Sequence, residues 1–139
     1  MKGYRKVLVA VNGSLHVLHR GMQLAQDEKT WMTVLKVVPP YDGDINLTGI
    51  KNIEDVLEGG WRDAARAIED EAKKERVLLK TRIETGAVHE KIVEVADEER
   101  CDLIVVGRPK RKWLAKIMGD RTVEKVVSQA HCPVLVVDP

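Results

Sequence analysis

The chain of 139 residues carries 44% hydrophobic and 32% charged residues, with 23 Lys and Arg against 22 Asp and Glu for a formal net charge of +1. That length fits one domain spanning 1–139, and the balance excludes both a disordered chain and the basic excess of a dedicated nucleic-acid binder. No window approaches the roughly 18 apolar residues of a membrane span, the basic start before Asn12 is too short for a signal peptide, and Cys101 and Cys132 form no CxxC pair, so free thiols in a cytoplasmic protein are expected.

Val7 to Val11 is a β-branched run ended by the turn formers Asn12-Gly13-Ser14. Ser14 can cap the helix that follows, in which Leu15, Leu18, Met22 and Ala25 recur at helical spacing. Trp31 to Val38 reads as a second strand, stopped by Pro39-Pro40, and the turn-rich stretch 39–51 is the longest irregular segment. Residues 53–76 read as a long helix, weakened at first by Gly59-Gly60 and strengthened by AARAIEDEAKKER. Leu78 to Glu84 is a third strand, with Leu79 and Ile83 at alternating positions. Gly86 opens a turn into a helix over 88–99 that presents Ile92, Val93 and Ala96 to the core. Leu103 to Val106 is a fourth strand, 107–112 a loop, 120–130 a helix and Val134 to Val137 a last strand, with Pro133 tolerated at its start.

Strands and helices therefore alternate throughout. Strands that are nearly continuous apolar runs imply helices on both faces, and right-handed crossovers then give an α/β fold with a doubly wound, five-stranded parallel sheet. Such sheets bind ligands beyond the carboxyl ends of their strands. The ends in question are Asn12, the turn after Val38, Glu84-Thr85-Gly86 and the loop from Gly107. A Walker A loop and a GxGxxG fingerprint are absent. No triad or pair of catalytic carboxylates stands at the strand ends, which points to a binding module rather than an enzyme.

Other candidates have simpler explanations. Gly107 serves a backbone turn whether or not a phosphate binds there. The segment 108–116, RPKRKWLAK, holds five basic residues and no acid. Arg108, Lys110, Arg111 and Lys112 are either a solvated basic loop or charge-assisted phosphate contacts, and Trp113, Leu114 and Ile117 anchor the segment. His16 and His19 lie three apart on a helix but lack a third ligand, so no metal is expected. His131 and Cys132 enter a strand as neighbours and point to opposite faces, which argues against a nucleophilic pair.

Three stretches resemble the universal stress protein family: KVLVAVNGS at 6–14, ETGAVHEKIVEVADEERCDLIVVGRPK at 84–110 and GDRTVEKVVSQAHCPVLVV at 119–137. In the second, Gly86, Ile92, Ala96, Asp102 and Gly107 stand at the family's spacings, and the third ends in a run similar to the family's C-terminus. The resemblance implies strand order 3-2-1-4-5 with the switch point between strands 1 and 4. Many members bind an adenine nucleotide there, through a loop of Gly, two residues, Gly, nine residues, then Gly and Ser or Thr. The site so implied for ATP or AMP comprises Val11, Asn12, Gly13, Val38, Gly107, Arg108, Lys110, Gly119, Asp120, Arg121 and Thr122. Gly107, Lys110, Gly119 and Thr122 would face phosphates, and Asn12 and Val38 the adenosine end.

The sequence departs from that pattern at four points. Lys110 replaces the second glycine, the step from Gly107 to Gly119 is one residue short, Asp120 replaces the Ser or Thr, and Asn12 replaces the usual acid after strand 1. The resemblance thus implies a regulatory module of the stress response that binds an adenine nucleotide weakly, or a nucleotide-independent dimeric interaction protein with a vestigial pocket. It also implies a homodimer, in which Val134, Leu135, Val136 and Val137 of an edge strand pair with their copies. Neither a nucleic acid nor a membrane is expected as a partner.

Overall fold

A computed structural model describes residues 4–11, 15–26, 30–38, 62–108 and 121–138. They form β1 (Lys6–Val11), α1 (Leu15–Gln26), β2 (Trp31–Val38), α2 (Arg62–Lys74), β3 (Leu78–Thr85), α3 (Val88–Glu98), β4 (Leu103–Gly107), α4 (Thr122–Gln129) and β5 (Val134–Val137). The five strands make one parallel sheet in the order β3-β2-β1-β4-β5, so the doubly wound α/β fold expected from the sequence is the fold observed.

Alternation along each strand divides the interior into two layers. On one face, Val7 and Val9 of β1, Met32 and Val34 of β2 and Leu103 and Val105 of β4 pack under Val17, Leu18 and Met22 of α1 and Ile68 and Ala72 of α2. On the other, Leu8, Leu35, Val37, Ile104 and Val106 pack under Ile92, Val95 and Ala96 of α3 and Val126 of α4. The central strands are apolar on both sides because both sides are covered. Here α3 corrects the sequence reading. Its buried face is Ile92, Val95 and Ala96, with Val93 half-buried, because Val95 and Ala96 stand three and four residues beyond Ile92 and so flank it on one helix face, whereas Val93 is turned a step away. The expected helix over 53–76 is observed from Arg62, its earlier part lying outside the described residues.

Two further contacts fix the sheet. Asp102, just before β4, accepts hydrogen bonds from the backbone N–H groups of Arg5 (3.0 Å) and Lys6 (3.1 Å), and its own N–H donates to the Lys6 carbonyl at 2.8 Å. One side chain thus sets the start of β1 against the start of β4. In α1, a Cβ at Gly21 would lie 2.6 Å from a methyl of Val9, so the bare residue lets the helix press onto β1.

Candidate functional site

The chain leaves β1 through α1 toward β2 on one side, and leaves β4 through α4 toward β5 on the other. At such a reversal no crossover covers the strand ends, and a crevice opens beyond them. Val7, Leu8 and Val9 pair with Leu103, Ile104 and Val105. Continued by two residues, that register sets Val11 beside Gly107 at the top of the sheet.

Gly107 has a packing role that sequence reasoning did not find. Its φ is not positive; among the described residues Gly86 is the glycine with positive φ, at 151°. A Cβ at Gly107 would instead lie 2.5 Å from Cγ2 of Val17. The residue is a glycine so that the first turns of α1 can close over the end of β4. This corrects the expected backbone turn, and it holds with or without a ligand.

The remaining strand ends are tied together. The N–H of Gly86 donates to the carbonyl of Val38 at 3.1 Å, and the N–H of Arg108 donates to the carbonyl of Val137 at 2.8 Å. The Arg108 side chain meets Asp138 at 3.4 Å in a pair exposed on both sides, worth about 0–1 kcal/mol at a surface. Arg121 precedes α4, gives it no side-chain cap and lies 3.8 Å from Glu124. Thr122 begins the helix. Of the expected site, the structure therefore places Val11, Val38, Gly107 and Arg108 along one edge, with Arg121 and Thr122 entering α4. Asn12, Gly13, Lys110, Gly119 and Asp120 lie outside the described residues, as do Ser14, Trp113, Leu114 and Ile117.

The other candidates are accounted for locally. His16 and His19 are exposed on α1, and no group of three or more His, Cys, Asp or Glu that could hold a metal occurs among the described residues. His131 meets Asp97 through Nδ1 at 3.0 Å, while Cys132 packs against the layer under α3 and α4. Both cysteines are free thiols. Burial pushes Cys101 up to about 12, with the Glu99 charge adding to the effect, and burial also raises Cys132. Neither suits a thiolate nucleophile.

The family model for the universal stress protein family matches residues 3–138. The chain belongs to the universal stress protein family. A universal stress protein of Methanocaldococcus jannaschii is 27% identical over 139 residues, covering 96% of this chain and 82% of its own. A homologue of universal stress protein A from Coxiella burnetii is 25% identical over 145 residues, covering 96% of each chain. Among solved structures, a universal stress protein in complex with cAMP is similar with a TM-score of 0.73, 25% identity and 98% of each chain covered. The fold is also shared with UspA of Lactobacillus plantarum, at a TM-score of 0.73, 23% identity and 96% and 97% coverage. Among the described residues of this universal stress protein, no helix is long and apolar enough to cross a membrane.

Proposed function

We propose that this universal stress protein is a single-domain regulatory module of the cytoplasmic stress response that binds an adenine nucleotide, ATP or AMP, at the crevice between β1 and β4. The observation that carries the reading is the reversal of chain direction at these two strands, whose register, continued by two residues, brings Val11 beside Gly107 at the carboxyl end of the sheet. The similar protein solved with cAMP supports an adenine nucleotide as the ligand class. Val11 and Val38 border the adenosine end, with Asn12 and Gly13. Gly107, Lys110, Gly119 and Thr122 face phosphate, and Arg108 and Arg121 supply charge once their exposed partners, Asp138 and Glu124, are displaced.

Lys110 stiffens a loop that glycine would free, and Asp120 before α4 competes with phosphate for the helix's first amides. Binding therefore leans on cationic side chains and weakens with salt. Titration of ATP and AMP at low and physiological ionic strength tests this, using wild type, Asp120→Ser and Lys110→Ala/Arg111→Ala. Affinity rises in Asp120→Ser and falls in the double variant and with salt. Tight, salt-insensitive binding would overturn the account of the loop. Absence of binding in every variant would favour a nucleotide-independent protein, for which the altered loop is the supporting feature.

The proposed homodimer forms through β5. The two sheet edges differ in a way that supports this. On β3, Lys80, Arg82 and Glu84 carry charge along the edge, a pattern that discourages pairing with another strand. On β5, Val134, Leu135 and Val136 are only half-buried and carry no charge.

A further inference from the structure

The end of the sheet opposite the nucleotide crevice carries unused surface. Three large apolar side chains are exposed among the described residues, and two of them, Trp31 (49%) and Leu78 (44%), are cross-strand partners in the first row of β2 and β3. Lys6 pairs with Trp31 in the same row, on the face of Leu8 and Leu35. Neighbouring side chains on one sheet face stand within contact range, so the three form one exposed strip.

The charge around this strip is unbalanced. Arg5 precedes β1 and Lys6 begins it, Arg76 precedes β3 and Arg100 precedes β4, all exposed at the same end of the sheet and without an ion pair among the described residues. The acids nearby are already engaged. Asp102 accepts the Arg5 and Lys6 amides, Glu98 meets Arg82 at 2.6 Å, and Glu99 is shared by Lys80 and Arg82. The adjoining stretches of sequence, 1–3 and 27–29, add two lysines and two acids and leave the balance unchanged.

We propose that this edge docks an acidic protein segment bearing an aliphatic or aromatic anchor, with Trp31 and Leu78 receiving the anchor and Arg5, Lys6, Arg76 and Arg100 pairing with its carboxylates. Trp and Arg dominate the energetics of protein interfaces, and opposite charge around an apolar centre steers and orients the partner. The apolar strip favours a protein segment over a nucleic acid, whose backbone would use the cations and leave Leu78 without purpose. The edge lies away from both the crevice and β5, so a partner here leaves the nucleotide and a second copy free to bind.

The test is fluorescence anisotropy of a short labelled peptide of glutamates bracketing a pair of leucines, titrated with the full chain. The peptide binds, Trp31→Ala and Leu78→Gln each weaken it by about tenfold or more, and Arg5→Glu/Arg100→Glu abolishes binding. A peptide with lysine in place of glutamate does not bind. Thermal melts accompany every variant. The charge-reversal pair alters exposed residues alone and decides the matter where an apolar variant melts early. Lack of binding, equal binding of the lysine peptide or indifference to the variants overturns the proposal. So does tighter binding, through the same residues, of a single-stranded RNA oligonucleotide or a phosphatidylglycerol vesicle.

Discussion

A methyl group at position 107 would sit 2.5 Å from a branch of Val17, whose β-branched side chain has little rotameric freedom on a helix. Gly107→Ala should therefore cost about 1–3 kcal/mol, read as a lowered urea midpoint with unchanged slope. Val17→Ala introduced with it should recover part of the loss; a double variant no better than the sum of the two would deny the contact. Cys101 gives a second residue-scale expectation. Its thiol is raised from an ordinary 9.0 to about 12 by burial, so the folded state holds the proton after the unfolded chain has released it. This contribution to stability is constant below about pH 9 and is lost as pH rises from there toward 12. Ellman titration at pH 8 should find Cys101 slow in the folded protein and both thiols reactive in denaturant. Fast reaction of both in the native state would contradict the burial.

Among the elements, the β3 edge and the end of α3 stabilise each other. Glu98 and Glu99 crowd the C-terminus of α3, where the helix dipole disfavours acids. Lys80 and Arg82 reach across from β3 to meet them. The Lys80 hydrogen bond, with Arg82 adding to it, holds Glu99 below the usual carboxylate range. A lowered carboxylate stabilises the fold above its unfolded pKa, and that stability is lost as pH falls through the folded value. Arg82→Met should lower stability at pH 7 and make its fall on acidification shallower, measured by denaturation from pH 7 down to about pH 3, and an unchanged acid limb would contradict the pairing. The proposed dimer is tested at the same scale. Val136→Lys should convert a sedimenting dimer to monomer, whereas Arg82→Met should not; a wild-type monomer would refute pairing through β5.

Most of the elements were legible in the chain because their periods were clean. Trp31–Val38 and Val134–Val137 begin and end where the apolar runs do. The buried face of α3 was misread at Val93 because two adjacent valine-rich faces compete there, and the contact with Leu8 and Ile104 selects Val95. The reason for Gly107 was not legible, since it depends on Val17, ninety residues earlier, crossing the end of β4. The clamp by Asp102 on β1 was hidden for the same reason: its partners are distant in sequence and close only once the strands pair. Of the site, the edge at Val11, Val38, Gly107 and Arg108 follows from strand order, which the resemblance supplied and composition did not.

For the molecule as a whole, the sheet has two working ends: a carboxyl end proposed for a nucleotide and an amino end proposed for an acidic partner. They make different demands, and a single experiment separates them. Backbone amide shifts of the isotopically labelled protein, followed by two-dimensional NMR as AMP is added at low ionic strength, test the nucleotide site most directly. The account predicts perturbations concentrated at Val11, Val38, Gly107, Arg108 and Thr122, with Lys6, Trp31, Leu78 and Arg100 unmoved. No perturbation at saturating AMP, or shifts confined to the opposite end of the sheet, would contradict a nucleotide site between β1 and β4.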